Sequence, residues 1–183
     1  MIPSSVTSER LPLGAVSWSL FEAGRNPFVM LVTIYVFMPY FSTIMVGDPI
    51  KGQALVAAYG QWAGWIVALT APLLGASIDR IGPRKPLLLV STAVMAALMI
   101  SLWWARPDGS GLGITGVVVA AVVINVLFGY TEVLHNAMLA QAAGQRLAHK
   151  ASGLGLALSN AISVMVLIFV LWAFALPGKV PWS

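Results

Sequence analysis

Ionisable and amide side chains interrupt two of the long apolar runs in this sequence. They are Glu22, Arg25 and Asn26 in the first run and Asn125, Glu132 and Asn136 in the fourth. A charged group inside a bilayer costs roughly 2.5 to 3.5 kcal/mol on insertion scales, so such groups usually mark ion, proton or substrate paths. At about 100° per residue, the members of each set share one helix face. The pattern predicts two polar faces that exchange a proton or bind a cationic group of a solute.

Several interpretations of these polar residues remain open. We expect the two faces to line a common cavity in which Arg25 pairs with Glu22 or with Glu132. The alternative is that the charges lie close to the membrane surface and extend their ends into water. Gln61, in the second apolar run, is a weaker candidate for the same pathway, because a buried amide often holds two helices together instead.

Enzyme chemistry finds little support in the sequence. It contains no Gly-x-Ser-x-Gly elbow, no His-Glu-x-x-His motif and no phosphate-binding glycine loop. Cysteine is absent, and the two histidines, His135 and His149, are too isolated for a histidine-rich metal site. Glu132 and His135 lie close enough for an intramembrane hydrolase, but no nucleophile accompanies them. We therefore expect no enzyme activity, no metal and no cofactor.

Composition places the chain in the membrane. Of its 183 residues, 59% are apolar and 9% are charged, and the mean hydropathy is +0.89. Soluble domains have roughly 25% charged residues. The net charge of +4 comes from cations in short segments between apolar runs, which favours membrane topology over nucleic acid as their explanation. The expected partner is the lipid bilayer, with no nucleic acid.

Five apolar runs are long enough to span a bilayer core, for which a helix needs about 20 residues. They cover residues 15–46, 54–77, 86–105, 113–138 and 152–176. Continuous apolar stretches such as 116–124 exclude the alternation of a β-barrel. The sequence therefore predicts an all-α membrane protein with five transmembrane helices in one bundle, flanked by an amino-terminal segment, 1–14, and a short tail, 177–183.

The distribution of cations predicts the orientation. Seven lie on the side of the amino terminus and three on the other side, which has Lys51, Arg106 and Lys179. The seven are Arg10, Arg25, Arg80, Arg84, Lys85, Arg146 and Lys150. Short loops rich in Lys and Arg stay cytoplasmic. We therefore expect the amino terminus in the cytoplasm, a tail outside it, and a location in the inner cell membrane.

A glycine-rich basic connector lies between the second and third runs. Its distinctive residues are Gly75, Asp79, Arg80, Gly82, Arg84 and Lys85. This connector resembles the signature loop of the major facilitator superfamily, Gly-x-x-x-Asp-Arg-x-Gly-x-Arg-Lys, at every fixed position. Residues 17–28 and the segment Lys150-Ala-Ser-Gly-Leu-Gly are similar to motifs of the branch that includes vacuolar amino-acid effluxers.

The resemblance implies secondary active transport of a small polar solute by alternating access. It also implies that the connector acts as a cytoplasmic gate, with Asp79 accepting hydrogen bonds from helix ends and Arg80 or Arg84 pairing with neighbouring helices. Members of this superfamily typically have twelve helices in two halves, and the similar motifs here are those of the amino-terminal half. We expect a truncated amino-terminal half that requires a missing carboxyl-terminal half. The alternative is a non-transporting membrane remnant or scaffold.

Overall fold

Among the described residues, five helices are long and apolar enough to cross a membrane. A computed structural model describes residues 10–81 and 84–176, with side chains except at 78–81 and 175. The five candidate spans are Leu13–Met45, Pro49–Ser77, Arg84–Trp104, Ile114–Ala137 and Leu139–Phe174. No strand is present within the described residues. The protein is therefore an all-α, multi-pass integral membrane protein, as the sequence predicted.

The helices divide between two compact units. Six α-helical segments are present in the described chain: α1, Leu13–Arg25; α2, Phe37–Tyr40; α3, Pro49–Ile81; α4, Arg84–Ser101; α5, Ile114–Ala137; and α6, Leu139–Val170. The first unit consists of residues 10–28 and 139–176, and the second consists of residues 29–138 apart from 82 and 83. The first unit therefore contains α1 and α6, and the second contains α2 to α5.

Beyond α1, the first span departs from regular α-helix. Val29–Tyr35 and Phe41–Met45 are π-helical, and α2 lies between them. Pro39, inside α2, has no backbone N–H and cannot make the usual bond one turn back. The carbonyl of Pro39 accepts a hydrogen bond of 2.7 Å from the Thr43 hydroxyl. Wide turns beside a proline are a recognised way for a helix to satisfy its displaced backbone groups.

In the first unit, α1 and α6 run in the same direction and approach closely. A Cβ added to Gly14 would lie 2.8 Å from the carbonyl oxygen of Ala142, and one added to Gly155 would lie 3.1 Å from the ring of Trp18. The Ser19 hydroxyl lies 3.0 Å from the Ala15 carbonyl oxygen of its own helix and 2.9 Å from that of Ala151 on α6. Small residues and a shared hydroxyl donor are what allow helices to associate in lipid.

The seam of α6 repeats every fourth residue. Its members are Leu139, Ala143, Leu147, Ala151, Gly155, Ser159 and Ser163, all buried except the half-buried Leu139 and Leu147. Gly144 interrupts the helix with φ of 72° and ψ of 154°, a left-handed region that favours glycine. Helix α6 thus begins at Leu139, whereas the predicted apolar run begins at residue 152. Polar residues between the seam positions lower the local hydropathy and hide this helical start.

In the second unit, α5 contacts both α3 and α4. Gly129 of α5 lies against Val67 of α3, and the hydroxyls of Tyr130 and Thr70 are 2.5 Å apart. At the start of α3, the Asp48 carboxylate accepts hydrogen bonds from the backbone N–H groups of Ile50 and Lys51 at 3.0 and 3.1 Å. This cap satisfies two amides that the helix cannot bond internally.

Candidate functional site

The first polar set forms an ion pair on the surface of α1 that faces α6. The Arg25 Nη2 atom lies 3.1 Å from Glu22 Oε1 and 3.0 Å from Oε2. The side chain of Arg25 is 6% exposed and that of Glu22 is 22% exposed. A Cβ added to Gly155 of α6 would lie 3.7 Å from the Glu22 Cβ, so the pair sits beside the closest part of the helix contact. The two residues cancel each other's charge inside an apolar unit.

The structure thus gives Arg25 one of its two predicted partners. Glu22 is three residues away on the same helix, where side chains of opposite charge meet readily. Glu132, the other predicted partner, belongs to the second unit. Asn26 follows the pair directly and is half-buried.

The second polar set follows one face of α5. Asn125 is half-buried, and its side-chain amide donates a 2.8 Å hydrogen bond to the Ala121 carbonyl one turn earlier. Glu132 and Asn136 are exposed within the protein. His135, by contrast, is buried, with 1% of its surface exposed. The carboxylate of Glu132 and the amide of Asn136 therefore lie on the outer surface of an otherwise apolar helix.

Gln61 lies on the exposed side of α3. At about 100° per residue it is roughly opposite Tyr59, whose hydroxyl donates to the Met38 sulfur at 2.8 Å. A Cβ added to Gly60 or to Gly64, on either side of Gln61 in the sequence, would meet no atom within 4 Å, so this side of α3 is open. Unlike Glu22 and Arg25, Gln61 makes no hydrogen bond or ion pair with another predicted site residue among the described side chains.

The predicted gating connector covers the end of α3 and the beginning of α4, and only part of it is described. Helix α3 extends to Ile81, so Gly75 is helical and half-buried. Arg84 Nη1 donates a 2.7 Å hydrogen bond to the carbonyl oxygen of Ala137, the last residue of α5. Lys85 is exposed. The side chains of Asp79 and Arg80, and all of Gly82, lie outside the described residues.

The contact between Arg84 and α5 has a clear physical basis. The last carbonyls of a helix lack internal partners and carry a partial negative charge. A guanidinium group is a suitable donor for such a carbonyl at a helix carboxyl terminus. Arg84 therefore ties the beginning of α4 to the end of α5, 53 residues later in the chain.

The contact between Thr70 and Tyr130 is one of several polar contacts that sequence reasoning missed. The Thr70 hydroxyl donates to the Ile66 carbonyl of its own helix, and the Tyr130 hydroxyl is 2.5 Å from it. The two residues are 60 positions apart, so no spacing in the sequence relates them. A threonine in a helix commonly donates a hydrogen bond to a carbonyl of its own helix, so its presence does not predict a contact with another helix.

Two open pockets lie elsewhere in the second unit. One, of about 450 Å³, is formed by the loop before α5 and includes Met45, Arg106 and Gly113. In that loop the backbone N–H and hydroxyl of Ser110 donate to Asp108, which lowers the pKa of this carboxyl. The other pocket, of about 420 Å³, is apolar and includes Val32 and Trp103. Neither contains a predicted site residue.

The fold and the site define a class, a multi-pass α-helical membrane protein with a buried ion pair and an exposed polar helix face. No group of three or more metal-ligating side chains is found in the described part of the chain. Comparisons with protein-family models, with curated proteins and with solved structures find no match to this chain.

Proposed function

We propose that these helices are part of a secondary active transporter of the major facilitator type, which moves a small polar solute by alternating access. The observation that carries the proposal is the connector that begins at Gly75 and ends at Lys85. It matches the superfamily signature and joins the second candidate span to the third. Both the residues and their place in the order of helices agree with the resemblance.

The polar face of α5 supports a transport role. Glu132 and Asn136 are exposed on a helix of mean hydropathy 2.1. Ionisable groups within membrane helices usually face a bundle interior or a water-filled cavity, because lipid solvates them poorly. A transport pathway supplies such an environment, and Glu132 is our candidate for proton exchange or for binding a cationic group of the solute. Asn125, on the same line, extends the polar face.

The connector also supports a gating role. Arg84 bonds the carboxyl end of α5, which is the type of contact that the resemblance implies for this loop. With seven of ten cations on one side of the candidate spans, we place the connector and the amino terminus in the cytoplasm and the protein in the inner cell membrane. Breaking the Arg84 contact would release the start of α4 from the end of α5.

Alternating access needs two bundles that move against each other around a midplane site. We therefore propose that the five helices act together with a carboxyl-terminal bundle. The effluxer-like motifs of residues 17–28 favour an amino acid as the solute.

Reconstitution into proteoliposomes tests the proposal. Uptake of labelled amino acids is measured under an imposed pH gradient, for the chain alone and for the chain co-reconstituted with a carboxyl-terminal bundle. We expect gradient-driven uptake only with the second bundle, and a loss of at least tenfold in Glu132→Gln. The matched control is Asp108→Asn, in the exposed loop between α4 and α5, which should transport normally.

Three results would count against parts of the proposal. Uptake unchanged in both Glu132→Gln and Glu22→Gln would remove the intramembrane acids from the mechanism. Correct membrane insertion without uptake in either arrangement would instead favour the non-transporting scaffold. Uptake by the chain alone would show that a second bundle is unnecessary.

A further inference from the structure

Two pockets of the second unit follow one another along the same two segments, the later part of the first span and the end of the third span with its loop. One, which we call the apolar pocket, has a volume of about 420 Å³ and is lined by Val32, Phe37, Met99, Ile100, Leu102 and Trp103. The other, which we call the loop pocket, has a volume of about 450 Å³ and includes Met45, Arg106 and Gly113, the last directly before α5. The two pockets therefore occur in the same order along both segments.

A hydrogen bond joins the two segments where one pocket gives way to the other. The Tyr40 hydroxyl donates to the carbonyl oxygen of Ala105 at 2.9 Å. Along both segments, this bond comes after the residues of the apolar pocket and before those of the loop pocket. The bond therefore holds the two segments together at the border between the pockets.

The end of the apolar spans falls at the same border. The third candidate span ends at Trp104, and the first ends at Met45. Trp103 and Trp104 are 70% and 53% exposed, and tryptophan rings of membrane proteins concentrate at the level of the lipid headgroups. The apolar pocket is lined by residues within the spans, whereas Arg106 follows the third span. The apolar pocket thus lies at the depth of acyl chains and the loop pocket at the depth of headgroups.

Arg106 gives the loop pocket its charged side chain, and the other described residues of the lining are uncharged. A guanidinium group can donate two parallel hydrogen bonds to a phosphate group. Asp108 is not part of this lining. Hydrogen bonds from Ser110, and to a smaller extent the nearby Arg106, lower the pKa of the Asp108 carboxyl. Because Asp108 offsets the charge of Arg106, the pocket suits a phosphate group of its ligand more than a ligand of high net negative charge.

We propose that the two pockets bind one phospholipid molecule, with an acyl chain in the apolar pocket and the phosphate at Arg106. A phospholipid has its apolar and phosphate parts in the same order as the pockets and is supplied by the surrounding bilayer. Both volumes fall within the roughly 300 to 1,000 Å³ that is usual for small-ligand sites. Zwitterionic and anionic phospholipids should both bind, since the phosphate is common to them. The proposal is independent of the transport proposal.

Native mass spectrometry of the full chain in neutral detergent tests the role of the phosphate. Phosphatidylethanolamine, phosphatidylglycerol and diacylglycerol, all with the same two oleoyl chains, are titrated separately. We expect both phospholipids to bind at least about fivefold more tightly than diacylglycerol, which is roughly the contribution of one cation near a lipid phosphate. Arg106→Gln should abolish this preference and Arg106→Lys should keep most of it. The control Lys51→Gln removes another exposed cation of the second unit and should keep the preference in full.

Several outcomes of this titration would overturn the proposal. Equal binding of the three lipids to the wild type would show that the phosphate is not recognised, as would an unchanged preference in Arg106→Gln. Tight binding of phosphatidylglycerol alone would show that net charge is recognised instead. Displacement of the lipid by inorganic phosphate at constant ionic strength would identify a site for a free anion. Arg106 is exposed, so its substitution should not impair folding.

A phosphatidylethanolamine with a photoreactive group in one acyl chain tests the apolar pocket. After irradiation, we expect cross-links to concentrate several-fold in residues 32–37 and 99–103 relative to the exposed side of α6. Ile100→Trp narrows the apolar pocket and should reduce these cross-links, whereas Ile168→Trp, at a similarly exposed position of α6, should not. Cross-links spread evenly over the exposed faces of the helices, or unchanged in Ile100→Trp, would show that the acyl chain has no defined site and would overturn the proposal.

Discussion

The two sets of polar residues in this protein, one on α1 and one on α5, differ in how deeply they are buried. Glu22 and Arg25 on α1 are enclosed against α6, with Arg25 only 6% exposed, and they neutralise each other at 3.0 Å. Glu132 and Asn136 on α5 are exposed in their unit. A neutral, enclosed pair suits a role in holding two helices, since either charge alone would be costly in an apolar interior. An exposed carboxylate on a membrane helix can be reached by water, protons or a solute, as the lining of a solute pathway requires.

The largest effect is expected for the enclosed pair. Arg25→Ala leaves Glu22 beside Gly155 without its guanidinium partner, and removing one member of a buried pair costs about 3 to 5 kcal/mol. The Asp48–Lys51 pair has the same i,i+3 spacing, but its N–O distance is 3.6 Å and its side chains are 38% and 79% exposed. Lys51→Ala should therefore cost about 0 to 1 kcal/mol. Reversible unfolding in mixed micelles measures both free energies.

The double variant Glu22→Gln, Arg25→Gln completes this comparison. With both charges removed, no uncompensated ion remains between α1 and α6, so the double variant should be more stable than Arg25→Ala. Similar losses in Arg25→Ala and Lys51→Ala would show that the α1 pair is solvated like a surface pair, and would remove the contrast between the two sets.

The helix contact that encloses the pair provides a second test. A Cβ at Gly155 would lie 3.1 Å from the Trp18 ring, whereas one at Gly153 would meet no atom within 4 Å. Gly155→Leu should destabilise the first unit by about 1 to 3 kcal/mol through overpacking. Gly153→Leu, on the exposed side, should be neutral or slightly stabilising because leucine favours helix. The same unfolding assay applies, and a loss shared by both variants would contradict the α1–α6 contact.

Much of the fold could be predicted from the sequence, because bilayer thickness requires long apolar runs and only helices satisfy their backbone within one segment. The start of α6 could not be predicted in this way. Its seam residues, such as Ala143 and Leu147, are separated by glutamines and cations that lower the local hydropathy. The π-helical turns of the first span could not be predicted either, because the sequence marks them only by Pro39. They depend on which hydrogen-bond donors the displaced backbone carbonyls meet in the folded chain.

The polar residues were predictable by type and helix face, but their burial was not. The Glu22–Arg25 pair follows from local spacing, which the sequence displays directly. The exposure of Glu132 depends on which side of α5 meets α3, and that is decided by Gly129 against Val67. The Thr70–Tyr130 contact depends on the same helix register and involves residues with no sequence relation. Contacts between helices therefore determine which polar side chains are buried, and helix periodicity in the sequence does not reveal those contacts.

The smallest effect on stability is expected for Glu132→Gln. This variant also distinguishes most clearly between the polar residues of α1 and those of α5. This change alters the charge of an exposed side chain with little change in shape, so the free energy of unfolding should stay within about 0.5 kcal/mol of the wild type. Glu22→Gln is the matched variant, since it makes the same change but leaves Arg25 enclosed with a weakened partner. It should be clearly less stable in the same micelle assay.

Stability and transport together then separate the roles. If Glu132 belongs to a solute pathway, Glu132→Gln keeps its stability but loses proton-driven uptake, whereas Glu22→Gln loses stability first. A large loss of stability in Glu132→Gln would mean that its carboxylate is held as firmly as that of Glu22, and the exposed face of α5 would then be part of a helix contact. Normal stability with normal uptake would leave Glu132 at the membrane surface, as a charge that extends into water.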